Sequence, residues 1–189
     1  LLNWRTLAKK LEQSDEIKVF DGAFFQMSVG TMLLMNMDPV EIRAFVAEVC
    51  KIIANLNPTI IYLGQENTQH ALLGMLEERG SDFSAFIVSR ICDSFFAKEH
   101  DLSGVDGLTE FFVRYRQLIE SIMEDSAAEP IFNLTLVKLD KSSSTWLEIN
   151  SQLSDFFGLP PMPDYFLSPA GVNTLVGSYE DKSNGDILK

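Results

Sequence analysis

The sequence predicts an α/β domain in which a parallel sheet has helices on both faces. Three short apolar segments have the composition of buried strands, and they are residues 19–21, 60–63 and 134–139. Helix-like segments of about a dozen residues or more separate them, so these strands cannot be hairpins. Right-handed crossovers in a single sheet are the expected connections between such strands.

Helix start and stop signals support this order of elements. Asp38, Pro39 and Glu41 have the spacing of a capping box with proline at the first helical position, which predicts a helix start. Gly80 separates two helix-like segments, residues 66–79 and 82–98. The clearest helical stripe of apolar residues runs over residues 108–123, where Arg114 and Arg116 are interpreted as a solvated face.

The length of 189 residues predicts one domain with a small appendage. We expect the α/β domain to cover residues 1–163 and a C-terminal tail to cover residues 164–189. Within the tail, residues 174–179 and 186–189 flank the turn-rich Asp-Lys-Ser-Asn-Gly, which predicts a β-hairpin. The first residues resemble the middle of a helix, so we also expect further residues before Leu1.

The amino-acid composition limits the classes of molecule that this protein is expected to bind. With 15 basic and 27 acidic residues the net charge is −12, and no basic cluster is present, which argues against nucleic-acid binding. No apolar run approaches the roughly 20 residues of a membrane span, so no membrane contact is expected. Cys50 and Cys92 are isolated in helix-like segments, which fits a reducing, cytoplasmic location. A homo-oligomer is compatible with the sequence.

Asp21 is the first candidate for a functional residue. It ends a predicted strand before Gly22, and ligands of open parallel sheets bind beyond the carboxyl ends of strands. A carboxylate there can hold a shell water of Mg²⁺ or orient an acceptor hydroxyl during phosphoryl transfer. Gln26 follows after two aromatic residues. The alternative interpretation is that Asp21 simply caps the segment after the strand.

Arg79 and Arg90 lie in consecutive helical segments on either side of a Gly-Ser-Asp turn. Such a pair suits a mobile lid whose guanidinium groups neutralise charge on a transferring phosphoryl group. Alternatively both are solvated residues near helix ends, where the helix dipole favours arginine at the C-terminus. The sequence contains no Gly-x-x-x-x-Gly-Lys-Ser/Thr loop, no Gly-x-Ser-x-Gly elbow and no Cys–His pair, so the residues alone identify no catalytic set.

Several segments together resemble the nucleotide-kinase branch of the P-loop NTPases, especially a thymidylate-kinase-like group found in bacilli. They are residues 19–26 (Val-Phe-Asp-Gly-Ala-Phe-Phe-Gln), residues 57–63 (Asn-Pro-Thr-Ile-Ile-Tyr-Leu), and residues 137–140 with Trp146 and residues 156–159. The resemblance implies a three-layer P-loop kinase-like sandwich that binds ATP and Mg²⁺. The phosphate-binding loop of the family would lie before Leu1.

The resemblance also implies roles for particular residues. Asp21 would be catalytic and would bind the metal, Gln26 would contact the acceptor base, and Arg79 and Arg90 would contact phosphates in the lid. Gly22 departs from the family, which has an arginine after the aspartate.

The expected function is phosphoryl transfer from ATP to a small acceptor. One alternative is a non-catalytic nucleotide-binding or regulatory protein with the same fold. Another is sulfuryl transfer, because the ending Phe-Phe-Gly-Leu-Pro is similar to the close of sulfotransferases.

Overall fold

The computed structural model describes residues 1–14, 16–128, 135–140, 146–160, 179–181 and 186–188. The chain divides into two compact units, residues 1–138 and residues 139–189. The predicted domain boundary after residue 163 lies outside the described residues, as does most of the predicted tail. Within the described part of the chain, no helix is both long and apolar enough to cross a membrane.

Helices make up most of the described chain. The α-helices are α1 (Leu2–Leu11), α2 (Gly30–Leu34), α3 (Pro39–Ile53), α4 (Thr68–Cys92), α5 (Phe95–Glu99), α6 (Gly104–Ala128) and α7 (Trp146–Phe157). A π-helix (Ala23–Val29) precedes α2, and a 3₁₀ turn (Ala54–Leu56) follows α3. The strands are β1 (Thr59–Gly64), β2 (Thr135–Asp140), β3 (Tyr179–Asp181) and β4 (Asp186–Leu188).

The prediction of a parallel sheet with helices on both faces is wrong. The described strands form two sheets of only two strands each, β1 with β2 and β3 with β4. The pattern of β1 also contradicts a strand buried on both faces, because Ile61 and Leu63 are exposed. The P-loop kinase-like sandwich implied by the resemblance is therefore not the architecture of the described chain.

The first predicted strand is also absent. Residues 17–20 have no regular secondary structure, and Ile17 and Val19 are 93% and 90% exposed. An apolar segment becomes a strand only when neighbouring strands satisfy its backbone and other elements cover its side chains. The described part of the chain supplies neither for residues 17–20. Asp21 consequently does not stand at the edge of a sheet.

The predicted start of α3 is confirmed. Asp38 is the N-cap, and its Oδ1 accepts a hydrogen bond of 2.7 Å from the backbone N–H of Val40. Pro39 occupies the first helical position, where its missing N–H costs no hydrogen bond. This start orients the apolar side of α3, including Ile42 and Val46, toward the core.

Gly80 breaks α4 as the sequence predicts. Its backbone has φ 81° and ψ 178°, a conformation that glycine adopts far more readily than other residues, so α4 consists of two helical halves joined at a kink. The Ser84 hydroxyl donates to the carbonyls of Leu76 and Gly80 at 3.2 and 2.8 Å. This side chain thus satisfies backbone acceptors that the kink would otherwise leave unpaired.

The core of the first unit is formed between helices. Along α4, Leu72, Leu76 and Ile91 face inward, and α4 packs along α6. The other members of this core come from the π-helix, α2, α3, α5 and α6; among them are Val29, Leu33, Ile42, Val46, Cys50, Phe96, Leu108, Phe111, Leu118, Ile119, Ile122 and Met123. Helix-to-helix packing therefore replaces the predicted packing of helices on a sheet.

The second unit contains α7 and the pair β3–β4. Gly158 follows α7 with φ 62°, and the N–H of Leu159 donates to the Ser154 carbonyl at 2.8 Å, a glycine-terminated helix end. Strands β3 and β4 are antiparallel, with Tyr179 opposite Leu188 and Asp181 opposite Asp186.

Candidate functional site

Asp21 and Gln26 lie in one turn at the start of the π-helix. Gly22 has φ 65°, and the N–H of Met27 donates to its carbonyl at 2.9 Å, closing the first π-turn. A Cβ added to Gly22 would lie 2.6 Å from Gln26 Oε1, so the glutamine side chain folds over the glycine. Any larger residue here would meet both this contact and a strained φ, which explains why glycine stands after Asp21.

Asp21 is exposed and forms no hydrogen bond or ion pair with any described residue. The π-helix has Gly22 as its N-cap residue and receives no side-chain cap. Within the described part of the chain, no group of three His, Cys, Asp or Glu side chains is placed to hold a metal ion. The structure therefore gives Asp21 neither the expected metal partners nor the capping bond of the alternative interpretation.

Arg79 and Arg90 lie on the two halves of α4. Arg79 is the last residue before the kink, and its guanidinium carbon is 4.9 Å from the ring centroid of Phe83, a cation–π contact. Arg90 lies in the last turn of α4 and is exposed. Neither arginine forms a hydrogen bond or ion pair with Asp21 or Gln26, so the expected catalytic set is not assembled among the described residues.

Arg90 belongs to a surface that the predictions did not include, and Arg79 lies at its edge. With 3.6 residues per turn, residues 82, 83, 89, 90 and 93 all lie on the side of α4 that carries Phe86, opposite buried Ile91. We call this surface the α4 outer face; its exposed members are Asp82, Phe86, Ser89, Arg90 and Asp93. At its edge the partly buried Phe83 packs against the core and has the Arg79 guanidinium over its ring. Phe86, at the centre of this face, is 58% exposed. Ser89 Oγ donates to Asp93 Oδ2 at 2.8 Å, which holds that carboxylate on the same side.

Arg116 has a different role from the predicted solvated arginine. Its Nη1 donates to the carbonyl of Gln65 at 2.8 Å and to that of Glu66, and its Nε lies 3.7 Å from Glu120 Oε2. Only 28% of the Arg116 side chain is exposed. This residue fastens the segment after β1 to α6, which makes it a structural anchor.

Two tyrosines lie beside this anchor. Burial raises the pKa of Tyr62, and the carboxylate of Glu120 raises it further, while Arg116 acts in the opposite direction. Burial also raises the pKa of Tyr115, and proximity to Tyr62 adds to the effect. Both phenols are thus more weakly acidic than a free tyrosine, so neither is suited to act as an acid or base near neutral pH.

A second polar group connects α5 to α6. The Nε of Arg114 donates to Glu110 Oε1 at 2.6 Å, its Nη1 lies 3.4 Å from His100 Nδ1, and its guanidinium lies over Phe96. The His100 ring also packs against Phe96, with centroids 4.4 Å apart. Since arginine can only donate hydrogen bonds, the His100 nitrogen that faces it is an acceptor. These contacts hold α5 and α6 together.

The cysteines show no sign of activation. Cys50 is buried, and burial raises the pKa of its thiol to about 12. Burial also raises the pKa of Cys92, and its thiol donates a hydrogen bond of 3.5 Å to the Gly104 carbonyl. A nucleophilic cysteine needs a lowered pKa, so both are better described as packing residues.

Comparison with known proteins adds no relative. No protein-family model, curated protein or solved structure gives a significant match to this chain. The candidate sites therefore stand on the contacts of the chain itself.

Proposed function

We propose that this chain is a non-catalytic binding protein and that the α4 outer face is its contact surface for another protein. The observation that carries the proposal is the exposure of Phe86 between the oppositely charged residues Asp82 and Arg90 on one side of a helix. The sequence alone suggested a different non-catalytic alternative, a nucleotide-binding or regulatory protein with the predicted parallel-sheet fold.

The chemistry of the α4 outer face favours a macromolecular partner. Burying an exposed phenylalanine contributes about 1.5–3 kcal/mol, and arginine and aromatic residues dominate the energetics of many protein interfaces. Charged residues around such an anchor add selectivity and register more than affinity. A helix face is also convex, whereas small-molecule sites are usually concave and bury most of the ligand.

Phosphoryl transfer from ATP stays a prediction of the resemblance. It would require Asp21, Arg79 and Arg90 to converge on one phosphate, and no described contact joins the aspartate to either arginine. Sulfuryl transfer likewise stays a prediction, since it depends on the segment around residues 156–160 at the end of α7. Arg79 and Arg90 can serve the binding function without a metal or a bound nucleotide.

Photo-crosslinking tests the proposed function. The photoreactive analogue p-benzoylphenylalanine replaces Phe86 in one protein and Leu73, an exposed residue of the first half of α4, in the control. We expect irradiation in extract of the source cells to give a discrete protein adduct from position 86 and only background from position 73. Equal background from both positions would contradict the proposal.

A further inference from the structure

We draw no further inference here: the strongest candidate, the exposed apolar segment of residues 17–20 between α1 and the π-helix, leaves Ile17 and Val19 almost fully exposed, and nothing in the described part of the chain shows what covers it.

Discussion

Replacing Ile42 with alanine should lower the free energy of unfolding by about 2–5 kcal/mol. Ile42 is 0% exposed and belongs to the core between α3, α4 and α6. The substitution removes buried methyl and methylene groups and leaves a cavity that closely packed helices fill only in part. Urea denaturation followed by far-ultraviolet circular dichroism measures the loss, with the slope of the transition expected to stay unchanged.

Val40→Ala provides the control on the same helix. Val40 is 72% exposed, so its truncation should change the free energy of unfolding by no more than about 0.5 kcal/mol. Equal losses for the two variants would show that α3 does not direct Ile42 into the core, which would contradict the helical packing described above.

Replacing Arg116 with alanine should cost about 1.5–3 kcal/mol of unfolding free energy. The guanidinium donates to two backbone carbonyls after β1, those of Gln65 and Glu66, and it lies beside Glu120. Its removal leaves these acceptors without their charged donor, and the part-buried carboxylate loses its cation. Chemical denaturation measures the total loss of unfolding free energy. Faster amide hydrogen exchange at residues 65–67 would show that the loss is local to the segment after β1.

Arg116→Lys separates the charge from the hydrogen-bond geometry. Lysine keeps the positive charge near Glu120 but presents a compact ammonium instead of a planar fork, so it should recover only part of the lost stability. Stability equal to the wild type in both variants would mean that Arg116 is a solvated residue, as the sequence alone suggested.

The local signals of the sequence were reliable where they depend on neighbouring residues. Asp38 and Pro39 specify the start of α3 through contacts within three residues, and Gly80 specifies the kink of α4 through its own backbone freedom. Such features follow from short-range sterics and capping, so a reader of the sequence can locate them.

The sheet prediction failed because strand formation depends on distant neighbours. Residues 17–20 and residues 60–63 have similar apolar composition, yet only the second segment is a strand in the structure. Composition shows that a segment is compatible with a sheet, but pairing and coverage decide whether it joins one. A periodic helical pattern such as that of α6 is more informative, because its apolar positions indicate which side of the helix is buried.

The candidate site was also predictable only in part. The sequence identified Arg79 and Arg90 as a pair across the Gly-Ser-Asp turn, but it did not identify the exposed side of α4 around Phe86 on which Arg90 lies. The role of Arg116 could not be read from the sequence, because its acceptors are backbone carbonyls about 50 residues earlier in the chain. Every residue has a backbone carbonyl, so the sequence does not show which one accepts a hydrogen bond from Arg116.

The central claim is that Arg79 and Arg90 serve a contact surface and do not bind transferring phosphates. Calorimetric titration of MgATP into the wild type and into the Arg79→Ala/Arg90→Ala double variant tests this claim most directly. We expect the two proteins to give the same heats at MgATP concentrations up to about 1 mM, the upper range of ordinary substrate affinities. Saturable binding of MgATP by the wild type that is lost in the double variant would contradict the claim and support the phosphate-binding role implied by the resemblance.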